Sequence, residues 1–257
     1  MRLEYKYLVP LSSVNHIRKR LFPYVDIDEF ASECLDNTYT VRSIYFDTSQ
    51  LSFYHEKIDG LQIRKKIRIR GYNDYRENNI VFLEIKRKND NYINKNRSPI
   101  MFHNVSEFLN TKDFDSFILT NYGTTASYSD AEMFIHNIHS SQLKPIILVV
   151  YEREAYTFKF DDRLRITFDK NLRYVLLPSI AKLYSDEEMY YPLQKYFILE
   201  IKFSNGFPSW LQRILMDFNL GRMALSKYTI CLDDASSLKS LNNMESYLFT
   251  RAVDYLV

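Results

Sequence analysis

At 257 residues, with 46% hydrophobic and 26% charged side chains, the chain can bury a sizeable core as one large domain, and these proportions exclude global disorder. A formal net charge of only +2 excludes the all-round basic surface expected of a general nucleic-acid binder. Two cysteines, Cys34 and Cys231, and five histidines without ligand spacing exclude a disulfide framework and a thiolate zinc site, so both cysteines are expected to be reduced structural thiols.

The start, Met1-Arg2-Leu3-Glu4-Tyr5-Lys6, is charged and has no apolar signal core. The longest apolar run, Ile146 to Val150, falls far short of the roughly 20 residues of a membrane-spanning helix. A single cytoplasmic domain over residues 1–257, with no membrane span of its own, is the expectation. Leu11-Ser12-Ser13 followed by Val14, Ile17, Leu21 and Phe22 predicts a capped amphipathic helix ending before Pro23, with Arg18, Lys19 and Arg20 as a solvated outer face. From Tyr39 onward, β-prone segments are predicted at 39–47, 61–70 and 80–88, punctuated by Gly60 and Gly71. The Asn- and Asp-rich stretch 89–97, with Lys95 and Arg97, is predicted as a polar loop.

Helices fit 105–111 and 130–139, and further strands fit 147–160, 163–168 and 196–203, the last followed by Gly206. Pro208 to Asn219 predicts a helix with proline in its first turn and Gly221 as its cap, and a final amphipathic helix fits 242–256. One internal echo appears: Phe82-Leu83-Glu84-Ile85-Lys86 returns as Ile198-Leu199-Glu200-Ile201-Lys202, as if each half of the chain supplied an equivalent strand.

Side chains alternate across a strand. In the strand at 61–70, Arg64, Lys66, Arg68 and Arg70 therefore share one face while Ile63, Ile67 and Ile69 share the other. The same spacing groups Glu84, Lys86 and Lys88, then Tyr151, Arg153 and Ala155, then Arg163, Arg165, Thr167 and Asp169, and finally Glu200 and Lys202. For any one strand, the plain reading is an antiparallel sheet with a wet polar face. Cations two apart on a strand stand about 6.8 Å apart and repel by roughly 2 kcal/mol at an effective dielectric near 20, before salt screening. Carboxylates on these faces are few, mainly Glu84, Glu200 and Asp169. The missing counter-charge points to a polyanionic ligand such as polyphosphate or a triphosphate, which Arg forks, Lys point charges and a carboxylate-held Mg²⁺ or Mn²⁺ suit.

Eight fragments in order carry a family resemblance. They are Glu4-Tyr5-Lys6-Tyr7-Leu8, Val41-Arg42-Ser43-Ile44-Tyr45-Phe46-Asp47-Thr48, Lys66-Ile67-Arg68-Ile69-Arg70, Leu83-Glu84-Ile85-Lys86, Tyr151-Glu152-Arg153-Glu154-Ala155-Tyr156, Leu164-Arg165-Ile166-Thr167-Phe168-Asp169, Leu199-Glu200-Ile201-Lys202 and Ser226-Lys227-Tyr228. From about residue 2 to 233 the chain resembles the polyphosphate polymerase domain of the vacuolar transporter chaperone (VTC) family, within the triphosphate tunnel metalloenzyme, or CYTH-like, superfamily. The resemblance implies an α+β fold, mainly antiparallel β: a closed eight-stranded β-tunnel flanked by helices. It also implies phosphate contacts from Lys6, Arg68, Arg70, Lys86, Arg153, Arg165 and Lys227, with Ser226 as a phosphate hydrogen-bond donor and Glu200 as the metal ligand. Arg64, Lys66 and Lys202 share the expected inner face as further substrate-binding residues.

One departure stands at the start. Related adenylate cyclases and thiamine triphosphatases carry Glu-x-Glu-x-Lys where this chain has Arg2-Leu3-Glu4-Tyr5-Lys6. The change favours the VTC-like branch and leaves open whether Glu4 or Glu84 adds a second metal ligand. The expected form is a stand-alone bacterial version, without the SPX domain and membrane tail of eukaryotic VTC subunits. Structural alternatives exist for the singled-out residues. Glu200 can be an ion-pair partner, Lys6 an edge charge on a fraying terminus, and Lys227 a cation welcome at the end of the preceding helix. Strand packing accounts for the 21 tyrosines and 18 phenylalanines better than base stacking does.

The implied activity is transfer of the γ-phosphoryl group of a nucleoside triphosphate, ATP being favoured, to a growing polyphosphate chain, with Mn²⁺ or Mg²⁺ as cofactor. Nucleic acid is not an expected partner, a separate membrane partner has room, and the oligomeric state is open. Two rival readings use the same residues: hydrolysis of triphosphate by water, and polyphosphate binding without turnover as an accessory protein.

Overall fold

The computed structural model describes residues 3–89, 92–122, 127–204 and 206–238. The helix expected over 242–256 lies outside the described residues, as does Arg2. The chain divides into two compact units. The first comprises Met1–Val41, Val150–Arg173 and Tyr191–Ser226, and the second Arg42–Val149, Tyr174–Tyr190 and Lys227–Val257.

Unit 1 begins with β1 (Leu3–Pro10), α1 (Val14–Leu21), β2 (Val25–Ile27), α2 (Glu29–Ser32) and the start of β3 (Thr38–Asp47). Unit 2 takes over with the rest of β3, then α3 (Ser52–Ile58), β4 (Ile63–Tyr72), β5 (Ile80–Asn89), β6 (Tyr92–Met101), α4 (Val105–Thr111), α5 (Phe114–Phe117) and α6 (Ser127–Ser140). The long strands β7 (Lys144–Phe158) and β8 (Asp161–Leu176) contribute to both, β9 (Tyr196–Phe203) and α7 (Ser209–Asp217) belong to unit 1, and α8 (Lys227–Leu238) belongs to unit 2.

Alternation in the sequence explains the core of unit 1. Tyr7 and Val9 of β1, Leu164, Ile166 and Phe168 of β8, and Phe197, Leu199, Ile201 and Phe203 of β9 all point to one side. The 3.6-residue spacing of Val14, Ile17 and Leu21 on α1, and of Leu211, Ile214 and Leu215 on α7, covers that side. Each fully covered aliphatic side chain contributes about 1.5–3 kcal/mol. The outer face of α1 is more than a solvated one. Arg18 Nε donates to Glu154 Oε2 at 2.9 Å, and Arg20 pairs with Asp217 at 2.5 Å.

The close of α7 differs from expectation in an informative way. Pro208 is the N-cap rather than a first-turn residue, and the left-handed position is Asn219, at φ 50°, rather than Gly221. Leu220 N–H donates to Leu215 O at 3.0 Å and Asn219 N–H to Met216 O at 2.9 Å, the paired bonds of a Schellman close.

In unit 2, Ile67 and Ile69 of β4, Val81, Leu83 and Ile85 of β5, and Ser98 and Ile100 of β6 are buried on one face. Phe53 of α3 and Ala131, Phe134 and Ile135 of α6 are buried in the same unit. The stretch 89–97, expected as a loop, is corrected here: Tyr92–Met101 forms β6, paired antiparallel with β5 from Asn89↔Tyr92 to Ile80↔Met101. Its polar residues have partners that composition does not reveal. Asp130 of α6, 7% exposed, accepts from Asn96 Nδ2 at 2.7 Å and from the Arg97 backbone N–H at 2.8 Å.

The fold class is α+β with a mainly antiparallel sheet, as expected, but the closed eight-stranded ring is not what the pairing gives. Eight described strands form a path, β1-β9-β8-β7-β3-β4-β5-β6, and a ninth, β2, is added on β7. A ring needs every strand paired on both sides. The two end strands instead spend edge groups on irregular segments of their own units. In unit 1, Tyr7 bridges Arg222 and Met223 N–H donates to Lys6 O at 2.9 Å. In unit 2, Ile100 bridges Ile118, Leu119 N–H donates to Pro99 O at 3.1 Å, and Pro99 itself has no N–H to offer.

Candidate phosphate site

The expected site residues fall into two groups, one in each unit. Lys6, Arg153, Arg165, Glu200, Lys202 and Ser226 belong to unit 1, while Arg64, Lys66, Arg68, Arg70, Lys86 and Lys227 belong to unit 2.

In unit 1, strand register sets the arrangement. Lys6 lies opposite Glu200, which lies opposite Thr167, and one step along, Glu4 lies opposite Lys202, which lies opposite Arg165. Charges of opposite sign thus alternate along and across β1 and β9, whereas Lys202 faces a like charge in Arg165. Lys6 Nζ lies 2.8 Å from Glu4 Oε1 and 3.6 Å from Glu200 Oε2, and it donates to Leu225 O at 3.2 Å. The terminal strand therefore holds Lys6 in a defined place rather than letting it fray. Burial alone would push the Lys6 ammonium down, but Glu200 and Glu4 outweigh it and hold the pKa above the ordinary lysine value. Lys202, also paired with Glu200, goes the other way: burial pulls it down, with Arg153 adding to the effect and Glu200 opposing it.

Arg153 forms a two-pronged pair with Asp169, Nε to Oδ1 at 2.6 Å and Nη2 to Oδ2 at 2.8 Å. Asp169 and Coulomb attraction from Tyr151 and Glu200 more than offset burial and raise the guanidinium further above its usual range. Arg165 reaches Asp28 and Tyr39, each 3.2 Å from Nη2. One buried atom of this face, Thr167 Oγ1, opposite Glu200 in register, has no hydrogen-bond partner, while Arg165 Nε stands 3.2 Å from Asp28 Oδ2. Ser226 is 4% exposed and follows Leu225, the residue whose carbonyl accepts from Lys6.

In unit 2, three rows cross β4, β5 and β6. Arg68 lies opposite Glu84, and Glu84 opposite Arg97; Lys66 opposite Lys86, and Lys86 opposite Lys95; Arg64 lies opposite Lys88. Glu84 is the hub of the first row. Its Oε2 accepts from Arg68 Nε at 2.7 Å and lies 2.6 Å from Arg68 Nη2. Arg70 and Arg97 stand at 3.8 and 3.4 Å. Burial would raise the Glu84 carboxyl, but the three guanidiniums bring it from 4.5 down to about 2. The second row brings three lysines into register. Directly opposed like charges destabilise a sheet. Lys66 Nζ also lies 5.9 Å from the Tyr228 ring centroid.

Two expectations need correcting. Counter-charge is less scarce than the alternation suggested, because Glu4 and Asp28 join Glu84, Glu200 and Asp169. Lys227 does not sit at a helix carboxy end. It opens α8, where the helix dipole disfavours a cation, so the dipole no longer accounts for it. Asp28, Tyr39, Thr167, Tyr45 and Lys95 escaped the sequence reading as site residues. Lys95 was hidden by the loop assignment. Thr167 did share the alternating face but carried no charge to mark it.

The profile of the VTC domain family matches residues 1–235. The chain belongs to the VTC domain family. Among curated relatives, this VTC domain is 23% identical over 213 residues to vacuolar transporter chaperone complex subunit 4 of Trypanosoma brucei brucei, covering 68% of the chain and 26% of the relative. The subunit of the same name is 23% identical in Schizosaccharomyces pombe, over 191 residues covering 65% of the chain and 25% of the relative, and 24% identical in Trypanosoma cruzi, over 201 residues covering 67% and 25%. The chain thus spans about a quarter of the length of the relatives it matches. Among its described residues, no helix of the VTC domain is long and apolar enough to cross a membrane.

Proposed function

We propose that this VTC domain is a polyphosphate polymerase that transfers the γ-phosphoryl group of a nucleoside triphosphate, ATP by preference, to the end of a polyphosphate chain. The observation that carries the reading is the gathering of cations on one face of β4, β5 and β6, where Lys66, Lys86 and Lys95 stand in register beside the row that holds Arg68 and Arg97. Forked guanidiniums and ammonium point charges on one face suit the oxygens of a polyphosphate.

In the reaction, a terminal oxygen of the chain forms a new bond to the γ-phosphorus as the bond from that phosphorus to the β,γ-bridging oxygen breaks. The nucleoside diphosphate leaves with the electron pair. Phosphoryl transfer of this kind depends on in-line positioning and charge neutralisation rather than on a covalent nucleophile. Within unit 2, Arg68 and Arg70 supply forked donors for phosphate oxygens and Lys66, Lys86 and Lys227 add point charges; within unit 1, Arg153 and Arg165 supply the forks and Lys6 and Lys202 the point charges. Ser226 adds a hydroxyl donor.

A divalent ion fits the donor chemistry of unit 1. Glu4 and Glu200 already share one cation, the Lys6 ammonium, and the Thr167 hydroxyl next to Glu200 is buried without a partner. No cluster of three or more His, Cys, Asp or Glu suited to a metal occurs among the described residues. Glu200 and Glu4 would therefore hold Mn²⁺ or Mg²⁺ with phosphate oxygens completing its shell, and the ion would neutralise charge developing on the transferred group. Glu84, committed to three guanidiniums, is not a ligand in this reading.

The test is to incubate the purified chain with ATP and Mn²⁺ and resolve the products on a gel. Long polymer is expected from the wild type, with a loss of at least about 100-fold in rate for Glu200→Ala and for Arg68→Ala. Orthophosphate without polymer would replace the reading with hydrolysis, and tight polyphosphate binding without ATP consumption would replace it with an accessory role.

A further inference from the structure

Tyr45, on β3, is 6% exposed, and its hydroxyl accepts a hydrogen bond from Arg68 Nη1 at 2.9 Å. A phenol can also donate, yet no acceptor for the Tyr45 proton is found among the described residues. The charged groups that act on it, Arg68 and Arg70 from β4 and Lys227 from α8, are all donors only. A buried donor with no acceptor is costly, and the described residues leave the place of that acceptor open to a ligand oxygen.

The ring is held from both sides. It stacks on Tyr228 with centroids 5.1 Å apart at 28°. Tyr228 donates to Asp47 Oδ2 at 2.5 Å, and Asp47 is fixed by the backbone N–H groups of Phe53 and Tyr54 at 2.9 and 3.0 Å. On the other side, Arg68 is tied to Glu84. We propose that Tyr45 is a substrate-binding residue that donates its hydroxyl proton to a phosphoryl oxygen of a tri- or polyphosphate held by Arg68 and Arg70. The assignment rests on the polyphosphate reading above and adds to it a neutral donor among the cations. The electrostatics agree with it. Burial would push the phenol up, but Arg68, Arg70 and Lys227 hold it below its ordinary value, and an anion bound beside it would reverse that.

The experiment is calorimetric binding of inorganic tripolyphosphate to the purified chain as wild type, Tyr45→Phe, Arg68→Lys and the double variant. Tyr45→Phe keeps the stacked ring and removes only the donor, and affinity should fall about tenfold in both the wild-type and the Arg68→Lys backgrounds. Equal affinity of Tyr45→Phe and wild type overturns the assignment. So does a loss seen only when Arg68 is intact, because Tyr45 would then merely orient the guanidinium. A second measurement needs no substitution: in an ultraviolet titration of the wild type, one tyrosine should ionise early and move to higher pH when tripolyphosphate is added. No movement overturns the assignment. A wild type that binds no tripolyphosphate overturns the polyphosphate reading along with it, whereas wild-type binding with an unaffected Tyr45→Phe overturns the Tyr45 assignment alone.

Discussion

Glu84 shows how a single carboxylate organises a cationic face. Three guanidiniums converge on it, and its folded pKa near 2 lies below the ordinary 4.5. A depressed carboxyl stabilises the fold above its unfolded pKa and loses that contribution as pH falls through the folded one. The shift from 4.5 to about 2 corresponds to roughly 3 kcal/mol at most. In urea unfolding, Glu84→Gln should be less stable than wild type at pH 7, and the gap should close between about pH 4.5 and 2. Parallel stability curves over that window would show that the arginines do not depend on the carboxylate charge. At this scale the sequence was informative about charge and silent about partners. Alternation placed Arg68 and Glu84 on one face of their strands, but only the register of β4 against β5 makes them neighbours. Tyr45 lay inside a family-like stretch with no charge to draw notice, and its role appears only once Arg68 is seen to use its hydroxyl as an acceptor.

At the scale of elements, strands with a continuous apolar alternation were legible: β5 and β9 fall where the pattern put them, and the FLEIK and ILEIK echo marks the acidic strand of each unit. β6 was not legible, because its β-prone residues are diluted by asparagines whose partner, Asp130, comes from a helix more than 30 residues away in sequence. The cap of α7 was misplaced by two residues because asparagine can take the left-handed position that glycine usually fills. Gly71 on β4 is a packing requirement. A Cβ there would meet the Tyr184 hydroxyl at 2.5 Å and its Cζ at 2.9 Å, and Tyr184 is braced edge-on by Phe102 at 4.9 Å. Gly71→Ala should therefore destabilise unit 2 by about 1–3 kcal/mol in a thermal or urea melt. A neutral result would mean that the 180–184 turn moves aside freely.

For the molecule as a whole, a net charge of +2 concealed a strongly sorted distribution, with charge on one face of each unit's strands and the hydrophobic core on the other. Composition could bound the class, and alternation could find the charged faces. Neither could give strand pairing, and the closed ring that the resemblance implied is absent from the observed path of hydrogen bonds. What persists is the chemistry: arginine forks, lysines in register and a pair of carboxylates around one ammonium, with no catalytic histidine or thiol called for. The most direct measurement is a phosphate balance on the purified chain supplied with γ-labelled ATP and Mn²⁺. Label should appear in long-chain polymer in step with the ADP released, one phosphate per ADP. Label recovered as free orthophosphate, or left in unconsumed ATP, would contradict the account.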